Sequence, residues 1–183
     1  MNRTCLLYTL LAASLSSAPG CSGGGDEGGG SAPSEDFMEV TLDGQRIPTE
    51  PDPMSIATFG ETFFAMGMQA PAPGGGFLDD NLVINVSTNG IEEGTYVFAE
   101  DSDLRDLQMA GSRAGTASVF DFDGTEYEST LDGSVTLEGI STGTDEEGRP
   151  ILRWVTGSFS GSFVSEAGVE RTASVRFGYV RTE

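Results

Sequence analysis

The sequence predicts an all-β fold, an antiparallel meander of about eight or nine strands forming a sandwich or an open barrel. Three observations carry this. Apolar residues recur in short alternations of period two; no stretch keeps a helical period for four successive turns; and Asp-Gly or Asn-Gly turn signals recur at hairpin spacing. Val40 and Leu42 alternate with Glu39 and Thr41 before Asp43-Gly44. Leu82, Ile84 and Val86 alternate with Val83, Asn85 and Ser87 before Asn89-Gly90. Tyr96 and Phe98 follow, then Ala117 and Val119 before Asp123-Gly124, and Val135 and Leu137 after Asp132-Gly133. In the last third, Val155, Gly157, Phe159, Gly161 and Phe163 fall on one face of a strand, with Thr156, Ser158, Ser160 and Ser162 on the other. Ala173, Val175, Phe177 and Tyr179 repeat the arrangement, with Glu166-Ala167-Gly168 as the intervening loop, and this hairpin is expected at the centre of the sheet. Gly157 and Gly161 weaken a strand on their own, so their expected use is to admit an aromatic ring or a sharp coil of the sheet. Two loops read as long, 69–80 and 100–113, the second with one helical turn around Leu104 and Leu107.

The ends of the chain set its organisation. Met1-Asn2-Arg3 and the uncharged run from Cys5 to Leu15 read as a secretory signal over 1–20, too short to span a bilayer. The sequence Ser17-Ala18-Pro19-Gly20-Cys21 resembles a bacterial lipobox, which makes Cys21 the lipidation site. Cys5 is lost with the signal, so no intrachain disulfide is left to the mature protein. Residues 22–36 are Gly-, Ser- and acid-rich, a disordered leash with a root-mean-square reach of about 20 Å. One all-β domain, 37–183, follows; a domain near 150 residues buries about 68–70 % of its unfolded surface, enough for a core without cross-links.

Charge and composition exclude whole classes of chemistry. The chain has 9 Lys+Arg against 29 Asp+Glu, no His and a formal net charge of −20. Every cation is an arginine, and the field repels phosphate backbones, so no nucleic acid is expected as a partner. Attachment to an outer membrane or cell surface falls to the lipid. Without His, Lys or a mature thiol free of lipid, the chain cannot build a Ser-His-Asp or Cys-His nucleophile, a Schiff base or a His-ligated metal.

Carboxylates remain. A pair held a few ångströms apart, one in an apolar pocket, would make a glycosidase, but with 29 acids chance pairs are plentiful. Calcium is the candidate cofactor, on Asp101, Asp103 and Asp106, with Asp121 and Asp123 a second partial match; neither completes a binding loop, and solvated turns explain both. Met66 and Met68 suit Cu(I), yet share a strand face with Phe64, which favours core packing. Trp154, with Tyr127 and Tyr179, is a candidate platform for a sugar ring. Its parity matches that of Thr156 and Ser158, the polar face, although a bulge near Arg153 would turn it inward.

The succession Gly94-Thr95-Tyr96, Tyr127, Gly133 to Leu137, Val155 to Phe163 and the closing strand to Tyr179 resembles the small uncharacterised lipoproteins of Bacteroidetes and related bacteria. That resemblance spans about the last half of the domain and implies a β domain of unknown function in the cell envelope. It transfers no active site. The expected function is therefore a non-catalytic envelope lipoprotein that binds or presents a ligand, with carbohydrate or an envelope protein as partner. A carboxylate glycosidase and a carrier of a small apolar ligand in a barrel cavity are the alternatives.

Overall fold

The computed structural model describes residues 32–50, 53–60, 63–76, 80–100 and 103–181; Cys21, the signal, residues 22–31 of the leash and Asp101 lie outside them. The described elements run β1 (Phe37–Leu42), β2 (Gln45–Ile47), β3 (Met54–Gly60), β4 (Phe63–Pro71), β5 (Asn81–Thr88), β6 (Gly94–Phe98), α1 (Leu104–Met109), β7 (Ala114–Phe120), β8 (Glu126–Thr144), β9 (Pro150–Ser165) and β10 (Glu170–Val180). All ten strands join one sheet in the order β2-β1-β10-β9-β8-β6-β7-β5-β4-β3, with β7 also pairing β8. The fold is all-β, as the alternations require. The sheet does not close, but it coils until β3 comes within 8 Å of β9, Cα to Cα.

β3, β4 and β5 follow one another in the sheet, as do β8, β9 and β10. Two departures from a simple meander position everything else. β1 lies antiparallel to β10, from Phe37 opposite Gly178 to Leu42 opposite Ala173, so the two ends of the domain are hydrogen-bonded together. β6 is inserted between β8 and β7, antiparallel to the first and parallel to the second. Just ahead of β1, one carboxylate oxygen of Asp36 accepts from the Val180 N–H at 2.7 Å and the other from the Ser55 hydroxyl, which ties edge strand β3 to the end of β10.

The inner faces pour into one core. Phe159 and Phe177 are 2 % and 0 % exposed, and Phe98, Phe163, Phe159 and Phe177 form a chain of rings with centroids 5.7, 5.9 and 6.4 Å apart. The strands from Val40 to Phe177 place the alternating residues inward as expected, and Met66 and Met68 are core side chains. Gly157 serves the use expected of it: a Cβ there would fall 2.5 Å from the Thr136 carbonyl and 2.7 Å from the Phe177 ring.

Three readings of the sequence need correcting. Asp132-Gly133 is not a hairpin turn but part of a bulge inside the continuous β8, where Ser129 to Gly133 spans what Phe163 to Gly161 spans on β9. Gly133 and Gly161 allow it, because a Cβ on Gly161 would lie 2.8 Å from the Gly133 Cα. Asn89-Gly90 opens a crossover instead of a hairpin. The buried Asn89 side chain donates to the Leu104 and Ser112 carbonyls and accepts from the Ala114 N–H, so it holds the β6 and α1 excursion against the start of β7. The loop expected from Gln69 begins later, since β4 runs to Pro71. Asp43-Gly44 and Asp123-Gly124 are turns as expected; Asp43 (φ 50°) and Gly44 (φ 76°) make the two-residue left-handed turn of the β1–β2 hairpin.

Candidate functional site

The β8–β9 hairpin outruns its neighbours. β8 pairs with β6 only as far as Leu137, and β9 pairs with β10 only from Trp154 onward, so residues 142–153 leave the sheet as a two-stranded arm. Asp145 locks its tip. Its carboxylate accepts from the Glu147 N–H at 3.0 Å, the Arg149 N–H at 2.8 Å and the Arg149 Nε at 2.7 Å, and Gly148 (φ 78°) completes the turn. The Arg149 backbone N–H is the main reason this carboxyl titrates below its ordinary value; partial desolvation opposes it and the guanidinium adds to it.

At the root of the arm Trp154 lies opposite Ser141 while Leu152 lies opposite Thr142, which leaves Arg153 as the extra residue of a β-bulge. Its carbonyl accepts from the Arg181 N–H at 2.8 Å, one step past the last β10 residue. The bulge lets Leu152 and Val155 both face the core while Arg153 and Trp154 both stay outside. Two glycines of β8 make room for them. A Cβ on Gly139 would fall 2.8 Å from Trp154 Cζ3, and one on Gly143 would fall 2.5 Å from Arg153 Nε, so the indole and the guanidinium lie across bare backbone. The result is an open depression of about 570 Å³ bordered by Thr144, Glu146, Ile151, Arg153, Trp154 and Arg181.

A hydroxyl-bearing face runs on from it. Thr156, Ser158, Ser160 and Ser162 continue the outer row of β9; Thr136 and Ser134 stand opposite on β8, and Ser174 and Thr172 on β10. All are exposed or half-buried, and Glu138 and Asp132 accept from Ser158 and Ser162 at 3.2 and 3.3 Å.

The three aromatic residues expected to form one platform do not meet. Trp154 is half-buried on the outer face, as its parity with Thr156 indicates. Tyr179 stands opposite Val155 on the inner face, and its hydroxyl titrates above its ordinary value, chiefly because of burial, with Arg181 opposing. Tyr127 is buried opposite Ser165 at the far end of β8, under the Arg171 guanidinium at 5.0 Å. Strand parity assigns both tyrosines to the core side, so Trp154 stands alone. Its companions are Arg153 and Arg181, which the sequence reading missed; Arg153 carries a signal, as an arginine next to the only tryptophan of a strongly acidic chain, and Arg181 carries none.

Five other arginines rest on carboxylates: Arg46 and Arg176 share Glu39, Arg113 holds Glu92, Arg149 holds Asp145 and Glu147, and Arg171 reaches Asp43 and Asp121. Among the described residues Arg105, Arg153 and Arg181 have no such partner.

The acids expected at a calcium site take structural places. Asp103 precedes α1 without a side-chain capping bond, Asp106 sits in its first turn, and Asp101 lies outside the described residues. Asp121 is engaged by the Phe122 N–H and Arg171, and Asp123 by the Thr125 N–H. Among the described residues no three His, Cys, Asp or Glu side chains converge as metal ligands. Another open depression, about 910 Å³, carries Glu126 and Glu128 among Phe120, Thr125 and Val164; both carboxylates are exposed, without the apolar enclosure that keeps a general acid protonated. Inside the sheet, Tyr96, Phe64, Phe159, Phe163, Phe177 and Met68 fill the space that a carrier would leave to its ligand.

No helix among the described residues is long and apolar enough to cross a membrane, which says nothing of crossing by strands. Compared with protein-family models, with curated proteins and with solved structures, the chain matches none of them.

Proposed function

We propose that the protein is a non-catalytic envelope lipoprotein, tethered through Cys21 and a flexible leash, whose domain binds carbohydrate at the root of the β8–β9 arm. The observation that carries this reading is the only tryptophan of the chain, half-buried on an otherwise hydroxyl-rich outer face. A flat indole takes the apolar face of a sugar ring, and a row of Ser and Thr supplies donors and acceptors for its hydroxyls. The site is open and shallow, the form of a surface that holds a polymer as it passes and not of one that encloses a small molecule. The exposed setting of Glu126 and Glu128 speaks against the glycosidase alternative, and the filled core against the carrier.

Fractionation and retardation in gels test both halves together. The intact chain is expected in the membrane fraction and the Cys21→Ser chain in the soluble fraction. The soluble chain is expected to be retarded in native gels containing solubilised envelope polysaccharide, and Trp154→Ala to abolish the retardation at unchanged melting temperature. A soluble intact chain contradicts the tether; retardation that survives Trp154→Ala contradicts the site.

A further inference from the structure

We propose that the sugar bound at this depression is acidic, with a ring carboxylate, as in a uronate, held by Arg153 and Arg181 while the ring lies on Trp154. This deepens the carbohydrate reading and rests on it. In a chain with 29 acids and nine basic residues, an arginine without a carboxylate is the exception, because carboxylates are in excess and a nearby pair forms at little cost. Two such arginines border one depression, and the tryptophan lies between them and the hydroxyl row. Both positions are built. The bulge at Arg153 turns that side chain outward, and its carbonyl, by accepting the Arg181 N–H, fixes the second arginine beside the first. Gly143 leaves room for the Arg153 guanidinium against the bare backbone of β8, and a guanidinium is the group that meets a carboxylate at two points.

The neighbouring acids define how much negative charge the site accepts. Asp145 is taken up by Arg149, so it does not compete for the two arginines, whereas Glu146 stays on the rim. Together with the net charge of −20, that favours one carboxylate per sugar over a densely sulfated ring, which the long-range field repels.

Calorimetric titration of the full-length Cys21→Ser chain separates the possibilities, with trigalacturonate, a neutral galactose trisaccharide of the same linkage and a sulfated galactose trisaccharide as probes. Trigalacturonate is expected to bind at least about tenfold more tightly than either of the others, as one charge-assisted contact gives. Arg153→Gln and Arg181→Gln are each expected to lower its affinity about tenfold and to leave the neutral sugar unchanged. Trp154 fluorescence reports the same event directly, since no other tryptophan is present. Equal, Trp154-dependent binding of the acidic and neutral sugars would overturn the charge assignment and leave the carbohydrate reading standing. Tighter binding of the sulfated sugar, or trigalacturonate binding indifferent to both arginine substitutions, would overturn it too. No binding of any probe would remove both readings.

Discussion

Phe159 and Phe177 sit opposite Val135 and Gly157, at positions where one face of the β9–β10 hairpin meets the core, and Ser160 follows Phe159 on the other face. Burial of the two rings makes truncation costly: Phe159→Ala and Phe177→Ala are each expected to destabilise by about 3–5 kcal/mol. Ser160→Ala, on the exposed face, is expected to stay near neutral. Urea midpoints measure all three, and equal shifts would contradict this assignment of faces. At this scale the sequence was legible wherever parity decided. The core side of β5, β9 and β10 follows from alternation alone, and Trp154 keeps the outward face its parity gives it. The grouping of Trp154 with Tyr127 and Tyr179 failed because it rested on residue type, while parity had already set Tyr179 beside Phe177. Arg153 was marked only by its place beside Trp154 and Arg181 not at all, because what sets them apart is the absence of a carboxylate partner among the described residues, and partners come from pairing distant in sequence.

The β8–β9 hairpin shows which features of an element sequence reveals. Asp-Gly pairs that close hairpins, at Asp43 and Asp123, look the same in sequence as Asp132-Gly133, which bulges within a strand; only the partner glycine across the ladder, Gly161, distinguishes them. The position of the loop at 166–168 needs no such partner and was legible. At the arm's tip, Asp145 titrates below its ordinary value of 3.8, with the Arg149 N–H as main cause. A carboxyl lowered in the folded state contributes stability that is present above its unfolded value and is lost as pH falls through the folded one. The melting temperature of the parent chain is therefore expected to fall more steeply below pH 3.8 than that of Asp145→Asn, which has no charge to lose there. Parallel acid limbs for the two would contradict the role given to this turn.

For the whole molecule, the decisive fact is that one open sheet coils around one core and that the first and last strands of the domain, β1 and β10, pair within it. The all-β class was legible because alternation and turns are local; the β1–β10 pairing and the insertion of β6 were not, because both join segments far apart along the chain. A filled interior leaves the outer surface for the ligand proposed above, and there the Trp154 depression, the Glu126 and Glu128 depression and the edge strands differ in chemistry. Amide chemical-shift mapping on the full-length Cys21→Ser chain, titrated with oligosaccharides released from envelope polysaccharide, distinguishes these places in one measurement. The expected result is a set of saturable shifts centred on Thr144, Ile151, Arg153, Trp154 and Arg181, with smaller ones along Thr156 and Ser158. Shifts centred on Glu126 and Glu128, or on core residues such as Leu82 and Phe159, would contradict it, as would a spectrum that does not change.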